Sequence, residues 1–553
     1  MKKIFAALFV LGFMSARAGF VNQLVFIGYE TTHQVDSILQ RQGIPSGVFV
    51  PQHDVKLYKV IYNTVDWDSN STSASGLLCV PVNNKCEVSM LSYQHGTTIK
   101  KHDVPSRLQT EWFVGLAAAS LGYVTVLPDY LGLGDSPGLH PYQHAHTEAT
   151  AVIDMIRAAK EVVDTMGAPV NDQLFLFGYS QGGHATMAAH ELIQETLDSV
   201  MHVTASAPMS GAYDMSGVMG DLMASDSVYP EPYYLPYLIF GYNEVYHLFA
   251  NDSDVLIHPY DTTLPPLFDG THDGGAINAA MPNVPKLIMQ PTQIDSFVND
   301  SATNYFRVVL SQNNTFNWLP TSPIRMYYCQ GDKSVPYQNA MVAYHHFIQN
   351  GATNVDTVDV NPTLDHYPCA QFAILAATYW FDSLVYKPLV SGGVTAVNST
   401  SAASPNGTAT ALPTGGHAPY SFSWSTGDTT ESVGNLAAGT YYVTVTDKNL
   451  CSYTDSTVIS LVSGIQNAVL SNFRIYPNPA KQMVNIMNTD PSDAIKETTV
   501  YDMSGRVIKT YAIRQDNNIQ LYFDGAADGI YFIRLRSETG KEAISKITIL
   551  NQQ

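Results

Sequence analysis

The sequence predicts an α/β fold with a mostly parallel sheet, followed by two small all-β, sandwich-like domains, and three observations carry that reading. From about residue 55 to 388, strand-like runs alternate with helical patterns, the rhythm of βα units. Within that block, an apolar run ends in Gly178-Tyr179-Ser180-Gln181-Gly182 and leads straight into a helix-forming stretch. After Pro388 the composition shifts to Ser, Thr, Ala and Gly, and only β-like segments separated by Gly, Asn and Asp turns follow.

At 553 residues the chain is long enough for several domains. Met1-Lys2-Lys3, an apolar run over 4–14 and Ala16-Arg17-Ala18 read as a signal peptide over 1–18, cut after Ala18. The apolar run is too short to span a bilayer, and no later segment is apolar for longer, so a secreted or cell-surface protein without a transmembrane segment is expected. The α/β domain is expected over 19–389, with strands at 75–80, 87–93, 123–128, 173–179, 201–208, 324–329 and 355–360. Helices are expected at 107–121, 147–166, 184–200, 337–349 and 371–386. The second of these shows apolar spacing at Val152, Ile153, Ile156, Val163 and Met166, with Thr147 as its N-cap. The alternation breaks over about 211–323, a Pro- and Tyr-rich stretch too long for a bare loop, which predicts an inserted helical cap. The two β domains are expected over 390–463 and 464–553.

A serine between glycines, on a turn from strand to helix, suits a nucleophile elbow. The turn is so tight that a Cβ at Gly178 or Gly182 would strike its neighbours, and the hydroxyl stands clear of the sheet. A serine hydroxyl needs a base, and the base needs an acid to orient it. Asp332, in Gln330-Gly331-Asp332-Lys333-Ser334-Val335-Pro336, and His366, in Asp365-His366-Tyr367-Pro368, follow late apolar runs in that order. His345 and His346 fall in a helical pattern. Asp356 and Asp359 alternate with Val in a strand, and Asp365 would have to fold back onto its neighbour's ring. Backbone donors for an oxyanion are expected at Thr97, in His95-Gly96-Thr97-Thr98, and at Gln181.

The net charge of −20, from 48 acidic and 28 basic residues with no basic stripe, argues against nucleic acid as a partner. The glycines of Gly132, Gly134 and Gly138 lack phosphate-loop spacing, and His140, His144 and His146 come without a carboxylate motif, so no cofactor and no metal is expected. Five cysteines in an exported chain allow two disulfides. Cys79 with Cys86 flanks a hairpin turn, and Cys329 with Cys369 would brace the loops of Asp332 and His366; separate buried thiols are the alternative.

Gly178 to Gly183, the segment from Pro128 to Gly138, Asp332 followed by Val335-Pro336, and His366 together resemble the α/β-hydrolase superfamily over roughly 55–388. The phrase His140-Pro141-Tyr142-Gln143-His144-Ala145-His146 and the long cap are similar to secretory lipases and related exported esterases. Residues 390–463, with Trp424 and the run from Asn435 to Asp447, resemble SprB-type adhesin repeats. Residues 464–553, with Tyr476-Pro477-Asn478-Pro479 and Gly529-Ile530-Tyr531-Phe532-Ile533-Arg534-Leu535, resemble the C-terminal sorting domain of type IX secretion substrates, which implies that machinery as a partner. The resemblance implies a secreted serine hydrolase acting on a small-molecule or lipid-like ester. A serine peptidase with the same three residues, or a non-catalytic adhesin, are the alternatives.

Overall fold

The computed structural model describes residues 19–82, 86–300, 302–386, 389–462, 473–489, 492–512 and 518–550, so the predicted signal peptide lies outside the described residues. The chain divides into two compact units. The first runs to Val390 and takes in the turns 415–420 and 446–452; the second comprises 391–414, 421–445 and 453–553.

In the first unit nine described strands form one sheet: β1 (Val21–Glu30), β2 (Val55–Val65), β3 (Ser71–Pro81), β4 (Val88–Gln94), β5 (Val124–Pro128), β6 (Val170–Tyr179), β7 (Ala205–Met209), β8 (Ile324–Tyr328) and β9 (Val355–Asp359). Their order is β1-β2-β3-β5-β4-β6-β7-β8-β9. Pairing is antiparallel from β1 through β3 to β5 and parallel from β5 through β4 to β9. This is the α/β-hydrolase fold.

Four α-helices among the described residues precede the cap: α1 (Thr32–Arg41), α2 (Trp112–Ser120), α3 (Ala145–Thr165) and α4 (Gln181–Thr196). The cap lies between β7 and β8 and contains α5 (Gly220–Ala224), α6 (Tyr234–Tyr246), α7 (Tyr260–Thr263), α8 (Gly274–Asn278), α9 (Pro291–Asn299) and α10 (Tyr305–Ser311). After it come α11 (Gln338–Gln349) and α12 (His366–Leu384). The alternation along β6 explains why its sequence reads as a continuous apolar run. Leu174 and Leu176 pack with Val152 and Ile156 of α3 and Ala189 of α4, whereas Phe175 and Phe177 pack with Leu116 of α2 and Phe381 of α12. A central strand covered on both faces has no solvent side to mark with polar residues. The cap has its own apolar core, with Tyr229, Leu238, Phe297 and Phe306 among its members.

Several expectations are corrected. Helix α3 starts at Ala145 after His144, and Thr147 lies inside it, its Oγ1 donating back to the His144 carbonyl at 3.2 Å, so it is not the cap. The last helix starts at His366, not near residue 371. Strands β1 and β2 and helix α1 were not predicted. Cys329 is bonded to Cys369, but Cys86 is bonded to Cys451, in the turn 446–452 of the same unit. Cys79 is a free, buried thiol. It pairs mid-sheet with Leu57 and Thr125 and faces the core beside Leu77 and Leu91, so its sulfur cannot turn toward the strand end where Cys86 lies.

Strands Val390–Val397, Gly407–Thr414 and Ser432–Leu436 form one small sheet, and Ser421–Trp424, Gly439–Thr446 and Ser452–Ile459 another, all in the second unit except their end residues Val390, Thr446 and Ser452. Beyond them, Phe473–Tyr476, Met483–Asn488 and Asn518–Tyr522 form a third. Val507–Ala512, Ile495–Asp502, Gly529–Ser537 and Glu542–Ile549 form a fourth, around buried Val484, Ile486, Ile533, Leu535 and Ile547. No helix among the described residues is long and apolar enough to cross a membrane.

Candidate active site

The carboxyl ends of β4, β6 and β8 and the start of α12 converge, as ligand sites do in open α/β sheets. Ser180 is the hinge between β6 and α4, held at φ 61° and ψ −121°. Its backbone N–H donates to the Met209 carbonyl at 2.9 Å, which pins the turn to the end of β7. The glycines around it are steric necessities: a Cβ on Gly178 would collide with the Gly182 carbonyl, one on Gly182 with the Gln94 carbonyl, and one on Gly183 would lie 2.5 Å from the Met209 carbonyl.

His366 Nε2 lies 2.8 Å from Ser180 Oγ, and His366 Nδ1 lies 2.6 Å from Asp332 Oδ2. All three residues are buried. The other oxygen of Asp332 accepts the N–H groups of Ser334 and Val335 at 3.0 and 2.8 Å, which fixes the carboxylate against rotation. Asp365, set aside as an acid, is the N-cap of α12. Its Oδ1 accepts from His366 N–H at 2.8 Å and Lys333 N–H at 3.0 Å, and so ties the acid loop to the histidine. The Tyr179 hydroxyl donates to the His366 carbonyl at 2.6 Å. The Cys329–Cys369 disulfide joins the two segments just outside Asp332 and His366.

Gly96 abuts the serine: a Cβ placed on it would lie 3.8 Å from Ser180 Cβ. Its own N–H donates to Glu111 Oε2 at 3.0 Å, and the same oxygen accepts the Tyr93 hydroxyl at 2.7 Å, so Glu111 holds this loop. Thr97 Oγ1 meets the Tyr142 hydroxyl at 3.0 Å. Gln181 is the first residue of α4, where backbone N–H groups have no intrahelical acceptor. The remaining candidates sit elsewhere. His346 packs edge-on against Phe316, Asp356 pairs with Arg325, and Asp359 lies in β9. His140 Nδ1 bonds the Leu131 carbonyl and His144 Nδ1 bonds Thr147 Oγ1, and no three-residue ligand cluster exists among the described residues. Glu111, Glu148 and His184 escaped the sequence reading.

Residues 94–201 match the secretory lipase family model. A provisionally assigned hydrolase of Legionella pneumophila matches at 33% identity and a TM-score of 0.61, over 66% of this chain and 98% of that one. The chain belongs to this lipase/esterase-like hydrolase family. The rice cell wall degrading esterase LipA of Xanthomonas oryzae is similar to this hydrolase at 27% identity in a mutant form (TM-score 0.60, 66% of this chain and 98% of that one). Its ligand-bound form matches at 28% (TM-score 0.58, 66% and 96%). Residues 474–550 match the secretion system C-terminal sorting domain, which implies the secretion machinery as a partner and a secreted or cell-surface hydrolase. No curated protein matches at a significant level.

Proposed function

We propose that this hydrolase is an exported serine esterase that cleaves carboxylic esters through an acyl-enzyme on Ser180. The observation that carries the reading is the unbroken hydrogen-bond chain from Ser180 Oγ through His366 to Asp332. Ser180 Oγ attacks the ester carbonyl carbon while His366 Nε2 takes its proton, and Asp332 orients the ring and stabilises the imidazolium. The carbonyl oxygen, now an oxyanion, accepts from the backbone N–H groups of Gln181 and Thr97. Collapse breaks the ester C–O bond, and the departing alkoxide takes the proton from His366. Water then adds to the acyl-enzyme with His366 again as base, which releases the carboxylic acid and restores Ser180.

The cap supports an aliphatic acyl group. A small apolar cavity of about 50 Å³ is lined by Met215, Met219, Met223, Leu238, Phe297 and Tyr142 among others. Tyr142 joins this void to the site, since its hydroxyl meets Thr97. An apolar slot rewards methylene groups at roughly 0.8 kcal/mol each and offers nothing to a peptide's amides. Met219→Trp is expected to lower kcat/KM for p-nitrophenyl laurate at least ~10-fold by filling the void, and to change the butyrate value less than about 2-fold. Steady-state kinetics on the two esters test this.

We assign 1–18 as the signal peptide, 19–389 as the catalytic domain with its cap over 211–323, 390–463 as an SprB-like repeat and 464–553 as the sorting domain. Full-length protein assayed on matched p-nitrophenyl esters and p-nitroanilides tests the chemistry. Ester turnover with anilide turnover at background is expected; the reverse would make the protein a peptidase.

A further inference from the structure

Directly behind the serine lies a chain of buried polar groups that the reaction as written does not use. His140 Nδ1 faces the Leu131 carbonyl at 2.7 Å, and its Nε2 lies 2.6 Å from Gln181 Nε2. Gln181 Nε2 also donates to Glu148 Oε1 at 2.7 Å. Glu148 Oε2 lies 2.7 Å from His184 Nδ1, and His184 Nε2 lies 2.9 Å from the Asn313 carbonyl. His140, Glu148, Gln181 and His184 are all buried.

Counting protons fixes the arrangement. A carbonyl can only accept, so His140 carries its proton on Nδ1 and offers a lone pair at Nε2; burial keeps this ring neutral, its pKa pushed down to about 3. The Gln181 amide must therefore point its NH2 at both His140 and Glu148, one hydrogen to each. At the other end His184 must donate from Nε2 to Asn313, which leaves a single proton to be shared between His184 Nδ1 and Glu148 Oε2. The Glu148–His184 pair is then neutral overall, and no bare carboxylate stands behind the place where an oxyanion forms.

We propose that Glu148, neutralised by His184, is a positioning residue that together with His140 locks the Gln181 side chain, and so holds the Gln181 N–H on the acyl oxygen beside Ser180. This rests on the serine esterase reading. The residue that supplies the oxyanion donor is the one whose side chain is clamped from two sides. The clamp ties together three separate parts of the chain: the loop before α3, α3 itself and the segment that returns from the cap at Asn313. It acts on the transition state, because the acyl oxygen needs its donors most when charged.

Glu148→Leu removes the clamp and keeps the bulk. Glu148→Gln can keep every bond, accepting from Gln181 and donating to a neutral His184. With active sites titrated by a fluorophosphonate, Glu148→Leu is expected to lose at least ~10-fold in kcat on p-nitrophenyl butyrate, and as much in affinity for an alkyl boronic acid that mimics the tetrahedral state, with KM within about 2-fold. Glu148→Gln is expected to recover most of both. If Glu148→Leu does not fold, Gln181→Met, which retains the backbone N–H, carries the same expectation. Kcat per titrated site and boronate affinity both unchanged in the clamp-breaking variant, or a loss that Glu148→Gln does not repair, overturns the proposal. Wild-type protein that turns over no ester overturns the esterase reading itself.

Discussion

Ser180→Ala is expected to lower kcat on p-nitrophenyl butyrate by about 10⁴-fold or more. The substitution removes the one atom that would bond to the acyl group and leaves His366 and Asp332 aligned on nothing. Folding should survive. Alanine meets the same strain as serine at φ 61°, and the hydroxyl's bond to His366 Nε2 is a single contact in a turn held by the Met209 carbonyl and by glycines with no room to move. The thermal midpoint should therefore move by no more than a few degrees while labelling by a fluorophosphonate disappears. Turnover close to wild type in a folded Ser180→Ala protein would falsify the nucleophile assignment and, with it, the mechanism proposed for this hydrolase.

The ease of reading this chain tracked how local each signal was. Ser180 announces itself because strand, tight turn and helix are adjacent in sequence, and each leaves its own trace: an apolar run, glycines and a helical pattern. Asp332 and His366 could be ranked because the topology dictates their order along the chain, although 186 residues separate the serine from the histidine it meets. Strands β1 and β2 left a weaker trace. They are antiparallel and lie at one edge of the sheet, and Lys, Tyr and Asn interrupt their alternation. The Cys86–Cys451 bond left none, since its partners are 365 residues apart and nothing near either cysteine encodes the other. Glu148 left a faint one: it occupies a position on the apolar stripe of α3, in line with Val152, Met155 and Ala159, where a carboxylate is out of place unless it has buried partners.

Gly182→Ala should be more damaging to the fold than any substitution of the reacting groups. A Cβ there would drive into the Gln94 carbonyl and come within 3.0 Å of the His95 carbonyl, and neither is a side chain that could rotate away. Gln94 ends β4, where it pairs with Gly178 of β6, so relief would require the centre of the sheet to part. Overpacking of a core costs about 1–3 kcal/mol when side chains can adjust, and a clash with two successive backbone carbonyls belongs at or above the top of that range. Gly138 provides the contrast. Unlike Gly182, which is helical, it lies at positive φ, 79°, and a Cβ there would meet nothing within 4 Å. Gly138→Ala should thus carry only the left-handed backbone penalty of about 1–2 kcal/mol. Chemical denaturation of the two variants separates space from strain. Gly182→Ala should lose several kcal/mol or fail to fold, and whatever fraction folds should lose activity too, because the segment displaced is the one that leads into Gly96 and Thr97 beside Ser180. Equal stability losses in the two variants would mean that the elbow has slack that its geometry denies.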